Sequence, residues 1–187
     1  MRNKYILLRH GETIYQTKKS SLLYPFPEKS QISLTAKGKK MIKDAVLEIK
    51  KESDIDLIFA SPFYRTTQSA KIASEILGVK PKFDKRLIDI NFGIYHGRTY
   101  KELWKDISER QIFYKRPPGG ETRRNVKKRV LSFFKEIEKK HKDKTILVIS
   151  HADPIWLLAS HLKGLTEDET MAHKKDYHPK VGTFIKL

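Results

Sequence analysis

The sequence predicts an α/β fold: a three-layer α/β/α sandwich around a mostly parallel central sheet, formed as one domain over residues 1–187. Three observations predict it. Short apolar runs at Lys4–Arg9, Asp56–Ala60 and Thr145–Ser150 have the length and make-up of buried strands. Longer stretches between them carry apolar residues at helical spacing. The two kinds of segment alternate along the chain, which is the pattern of βαβ units with helices on both faces of a sheet.

Each element has its own signals. KYILLR opens the chain as a buried strand. Gln16–Ser33, with Lys, Ser and the YPFP stretch, reads as a long loop, and loops of this length in compact domains are often functional. Thr35 is placed to cap a helix with Met41, Ile42, Ala45, Val46 and Ile49 on one face. After the second strand, Ser61-Pro62 reads as a helix start, cap then proline, and Gly78 as that helix's end. Val79–Phe83 is a candidate third strand, and Leu87–Gly97 is loop-like. Thr99-x-x-Glu102 has the pattern of a capping box. Lys115–Glu121 is a turn before a long helix at Thr122–Lys140. Asp153-Pro154 opens a helix running to about His161, ended by Gly164, and Val181–Leu187 is a candidate last strand.

Composition narrows the class. With 39% hydrophobic and 33% charged residues the chain suits a soluble globular protein. There is no cysteine, which removes disulfides, thiolate metal sites and a cysteine nucleophile. The first apolar run is too short for a signal-peptide core, and TILVISHADPIWLLA is broken by His151, Asp153 and Pro154, so no membrane partner and a cytoplasmic location are expected. The net charge of +17 attracts anions, but 29 of the 39 cations are Lys, most of them where helices should meet water. A solvated face is favoured over a nucleic-acid patch, and no RNA-binding aromatic motif or basic tail is present.

Ligands of such sheets bind beyond the carboxyl ends of the strands. Three polar clusters fall there: Arg9-His10-Gly11-Glu12, Ser61-Pro62-Phe63-Tyr64-Arg65 and Ser150-His151-Ala152-Asp153. Two histidines and two arginines thus reach one sheet edge without a carboxylate-rich metal cluster. The inventory fits a tetrahedral anion such as phosphate. Arginine forks clamp its oxygens, and a neutral imidazole can attack phosphorus and hold the phosphoryl group. A zinc site from His10, His151 and Asp153 is the competing reading, opposed by the two arginines that would repel a cation.

These residues carry a resemblance. Leu8-Arg9-His10-Gly11-Glu12-Thr13 resembles the signature of the histidine phosphatase superfamily, the phosphoglycerate-mutase-like group. Leu34-Thr35-x-x-Gly38 matches its LTxxG, and Ser61-Pro62-x-x-Arg65-x-x-Gln68-Ser69-Ala70 its SPxxRxxQTA. Phe92-Gly93-x-Tyr95-x-Gly97, Gly119-Gly120-Glu121 and Ser150-His151 follow in the family's order. The resemblance implies that His10 is the nucleophile that becomes phosphohistidine, that Arg9 and Arg65 bind phosphate oxygens, and that His151 completes the pocket. It implies no cofactor and no metal. The family's general acid, a Glu four residues before the glycine of its FG pair, falls on Asp89, with Glu121 as the reserve candidate. Gln16, Glu121 and Ala152 are the candidate substrate contacts. Gln16, Tyr95-His96 and Ala152-Asp153 depart from the family's usual residues.

The reading that follows is a metal-independent phosphomonoester hydrolase of the histidine phosphatase type, acting on a small phosphorylated metabolite. A phosphoglycerate mutase is the nearest alternative, and mutases of this family are generally longer. A non-catalytic phospho-ligand or RNA-binding module is the alternative of a different class. Other polar residues read as structural: Asp153 as a helix cap, Glu12 as the partner of a nearby cation, and His141 and His161 on helix faces. His96, His173 and His178 read as surface residues, with substrate contact as the alternative.

Overall fold

A computed structural model describes residues 1–26, 28 and 32–187. Pro27 of the YPFP stretch and residues 29–31 of the predicted long loop lie outside the described residues. Five strands form one sheet in the order β3-β2-β4-β1-β5, with β1 Lys4–Arg9, β2 Leu57–Ala60, β3 Pro81–Phe83, β4 Thr145–Ser150 and β5 Phe184–Lys186. The β1–β4, β4–β2 and β2–β3 pairs are parallel, and β5 runs antiparallel to β1. Among the described residues the helices are α1 Ala36–Glu52, α2 Tyr64–Leu77, α3 Tyr100–Asp106, α4 Arg123–Lys140, α5 Ala152–Leu162, α6 Glu167–Ala172 and α7 Lys174–Tyr177.

Strand side chains alternate faces, so each central strand feeds two cores. Ile6 and Leu8 of β1, with Leu147 and Ile149 of β4, pack with Ile42, Val46 and Ile49 of α1 and Ala70 and Ala73 of α2. Tyr5 and Leu7, with Ile146 and Val148, pack on the other side with Val126, Val130, Phe133 and Ile137 of α4 and Trp156 of α5. This is why β1 and β4 are apolar between their end residues: both faces are covered. Each such Ile or Val, fully buried, contributes about 1.5–3 kcal/mol.

Several caps follow the sequence. The Thr35 side chain accepts from Gly38 N, Gly78 ends α2 with φ 73°, and Thr99/Glu102 and Thr122/Asn125 close capping boxes. Two do not. The N-cap of α2 is Phe63, not Ser61, because the Ser61 hydroxyl lies 2.8 Å from Nε2 of His151. The N-cap of α5 is His151, not Asp153, because Asp153 accepts from Nε of Arg123 at 2.8 Å. Helices α6 and α7 were not anticipated, although Thr166-x-x-Glu169 is a capping box readable in the sequence.

Two glycine contacts join distant motifs. A Cβ on Gly11 would sit 2.3 Å from the carbonyl oxygen of Gly38, and one on Gly38 would sit 2.1 Å from that of Glu12. The loop after β1 therefore lies directly against the first turn of α1.

Candidate active site

Strands β1, β2 and β4 are neighbours in register, with Arg9 opposite Ser150 and Ala60 opposite Ile149, so their carboxyl ends deliver side chains to one place. β1 brings Arg9 and His10, β4 brings His151, and the turn after β2 brings Arg65 on the first turn of α2. The loop around His10 is held on two sides: its N–H donates to Ser150 O at 3.1 Å, and Gly182 N donates to its carbonyl at 2.9 Å.

The tautomers follow from the partners. Nδ1 of His10 lies 2.8 Å from Gly11 O and must donate to it, which leaves a lone pair on Nε2. Arg65 Nε donates to that nitrogen at 3.3 Å. His151 accepts from Arg65 Nη2 on Nδ1 at 3.1 Å, so its Nε2 donates to Ser61 Oγ. Burial first, then the Arg65 charge, hold both imidazoles well below their usual pKa. Both are neutral near pH 7.

Arg65 is the hub. Its side chain is 1% exposed and bonds to both histidines, to Asp89 Oδ2 at 3.2 Å and to Glu28 Oε1 at 3.3 Å. The ring of Tyr24 covers the guanidinium at 4.0 Å. A buried cation needs such a set of partners. Arg9 donates to Pro179 O at 2.9 Å, and its Nε has no hydrogen-bond partner among the described residues.

The Asp89 carboxylate also lies 3.7 Å from His151 Nδ1. Burial raises its pKa above the usual carboxylate value, against the pull of Arg65. Its loop is fixed from α4: Arg129 donates to the carbonyls of Arg86 and Ile88 at 2.7 Å and of Asp89 at 3.0 Å. Glu121 is not brought to the cleft wall. It pairs with Arg129 at 2.9 Å and accepts from Asn91 N at 3.0 Å. Gln16 and Ala152 do line the cleft. Gln16 closes a capping box on Thr13 and donates to the Tyr24 hydroxyl at 2.8 Å. Asp153, which a zinc site would need, is bonded to Arg123 instead. Glu12 faces Lys37 at 3.4 Å.

Comparison with known proteins places the chain in a family. The sequence model of the histidine phosphatase superfamily (branch 1) matches residues 5–178. The chain belongs to the histidine phosphatase superfamily. Phosphoserine phosphatase 1 of Hydrogenobacter thermophilus is 29% identical over 170 residues, 87% of this chain and 77% of that protein. A protein of Escherichia coli O1:K1 named as a probable phosphoglycerate mutase is 27% identical over 165 residues, 85% of this chain and 74% of its own length. A solved structure of a mycobacterial glucosyl-3-phosphoglycerate phosphatase shares the fold, with TM-score 0.82 at 21% identity over 98% of this chain and 90% of that one.

The histidine phosphatase motifs did not reveal every side chain at this cleft. Tyr24, Tyr100 and Lys174 line it and were not singled out, and Arg129 supports it from behind. His178, read as a surface residue with substrate contact as the alternative, lines the cleft too. It is half-buried there, with its pKa pushed down to about 4 by burial. His96 was read the same way. It ties two loops, with Nδ1 donating to Tyr24 O at 2.5 Å and Nε2 accepting from Phe92 N at 2.8 Å. Neither role has a local sequence signal, since both depend on loops meeting in space.

Proposed function

We propose that the protein is a metal-independent phosphomonoester hydrolase acting on a small phosphorylated metabolite through a phosphohistidine on His10. The observation that carries the reading is the lone pair on His10 Nε2, fixed by the Gly11 carbonyl and faced by the Arg65 fork. Membership of the superfamily and the phosphatase named among the relatives support it.

In the first step Nε2 of His10 attacks phosphorus as the ester P–O bond breaks. Arg9, Arg65 and His151 compensate the charge on the transferring oxygens, which is most of what phosphoryl transfer asks of a protein. Asp89, kept protonated to higher pH by its burial, gives its proton to the leaving alkoxide. In the second step the same carboxylate takes a proton from water, the water oxygen bonds to phosphorus, and the N–P bond breaks. Gln16 and Ala152 face the substrate from the cleft wall.

The test is acid-labile phosphate on the protein. Incubation with an aryl phosphate, alkaline quench and mass spectrometry should find one phosphoryl group on His10, and His10→Ala should lose it together with turnover. Turnover that persists at the original rate in His10→Ala would overturn the proposal. Interconversion of phosphoglycerates dependent on a bisphosphate primer would instead identify a mutase.

A further inference from the structure

The cleft continues past the phosphate cradle as a cavity of about 460 Å³. Its walls differ in character. One is aromatic. Tyr15 and Tyr24 stack at 4.4 Å with 21° between their planes, and Tyr100 and Trp104 lie side by side at 6.3 Å and 31°. The two groups are held by backbone pairing: Tyr100 N donates to Ser21 O at 3.0 Å and Leu23 N to Arg98 O at 2.8 Å. Tyr100 keeps 38% of its surface exposed.

The other wall is ionic but already neutralised. Arg123 is bonded to Asp153 at 2.8 Å, and Lys174 is paired with Glu109. His178, its pKa pushed down to about 4, is uncharged near pH 7. Among the described residues that line the cleft, Arg9 is the cation without a carboxylate partner, and it stands at the cradle itself. A carboxylate or second phosphate on the substrate body would have to break the buried Arg123–Asp153 pair, compete with Glu109 for the partly exposed Lys174, or go unpaired in a partly desolvated space, each at a cost. A flat neutral ring meets no such cost and has aromatic faces to lie against.

We propose that the alcohol released by this enzyme is uncharged and carries an aromatic or heteroaromatic ring, held by Tyr100 and Trp104. This rests on the phosphomonoesterase reading and adds the substrate class. It sets the chain apart from enzymes whose substrate is a phosphorylated sugar acid.

The experiment compares n-propyl phosphate, 3-phenylpropyl phosphate and 3-phosphoglycerate. The first two release nearly the same kind of alkoxide, so their ratio reports the ring alone. We expect 3-phenylpropyl phosphate to exceed n-propyl phosphate in kcat/KM by roughly tenfold, mainly through KM, with 3-phosphoglycerate below both. Tyr100→Ala, confirmed folded by its melting curve, should lower the phenylpropyl-to-propyl ratio. A best rate with 3-phosphoglycerate, no advantage for the ring, or a ratio unmoved by Tyr100→Ala would overturn the proposal. Calorimetric titration with the matching phosphonates reads the same ratio without turnover. If no ester is hydrolysed but the phosphonate ratio holds, the hydrolase reading fails and the subsite stands.

Discussion

Arg65 Nε and His10 Nε2 face each other across 3.3 Å, and the opposite edge of the same imidazole is tied to the Gly11 carbonyl at 2.8 Å. In the proposed mechanism the arginine thus guards the nucleophile's lone pair and stands where the phosphoryl oxygens pass. Lysine cannot reproduce that fork, because its single ammonium cannot reach His10, His151 and two carboxylates together. Arg65→Lys should lower kcat by about 10²–10³-fold, the size of a lost oxyanion donor. Steady-state kinetics with an aryl phosphate checks this, and a loss under threefold would count against the assigned role.

In the proposed mechanism Asp89 gives the rate its pH dependence. Because burial raises its pKa, the proton it donates is lost as pH rises through that raised value, so kcat/KM for alkyl phosphates should fall on the alkaline side. The depressed pKa values of His10 and His151 keep both imidazoles neutral well into the acid range, so no matching acid limb from them is expected near pH 6. Asp89→Asn should flatten the alkaline limb and cut alkyl phosphate turnover far more than aryl phosphate turnover. Glu121→Gln, which loosens Arg129 and the loop it holds, should affect both substrates alike.

Gly38 is needed for space rather than for freedom of its backbone. Alanine there brings a Cβ to 2.1 Å from the Glu12 carbonyl, backbone that cannot give way cheaply. Helix propensity favours Ala by about 1 kcal/mol, yet Gly38→Ala should still destabilise the fold, by about 1–3 kcal/mol, as overpacking does. A shift of the urea midpoint to lower concentration is the expected result.

Acid should weaken the fold through His178. Its folded pKa of about 4 lies below the ordinary histidine value of 6.5, so the unfolded chain takes up the proton first as pH falls. The stability it supplies is complete above pH 6.5 and drains away toward pH 4. Between those limits His178→Gln should lose less stability than the native chain, by on the order of 2 kcal/mol. Equal losses in both proteins would remove His178 from the account.

The sheet and its order of elements were legible because buried strands and amphipathic helices leave a period in the sequence. β1 and β4 are apolar on both faces, and α4 carries its stripe at Val126, Val130, Phe133 and Ile137. Arg9, His10, Arg65 and His151 were legible because strand ends converge wherever neighbouring strands are parallel. The helix starts at Ser61 and Asp153 were misread for one reason. A local capping rule cannot see that His151 and Arg123 compete for those side chains from about 90 and 30 residues away. The aromatic wall was illegible, and His178 could be read either way, because their positions are set by loops folding against one another, with no period to betray them.

Arg65 is already hydrogen-bonded to Asp89 and Glu28 before any ligand arrives. A passing anion can take hold of it only by displacing one of those carboxylates. Chloride, or a single phosphodiester of a nucleic acid strand, offers too few contacts to drive that exchange. On the proposed function, a phosphomonoester meets that demand, with three free oxygens for both guanidiniums and an imidazole at once. On that reading the chain carries a net charge of +17 while the Asp89 and Glu28 pairs on Arg65 screen its innermost recess from weaker anions.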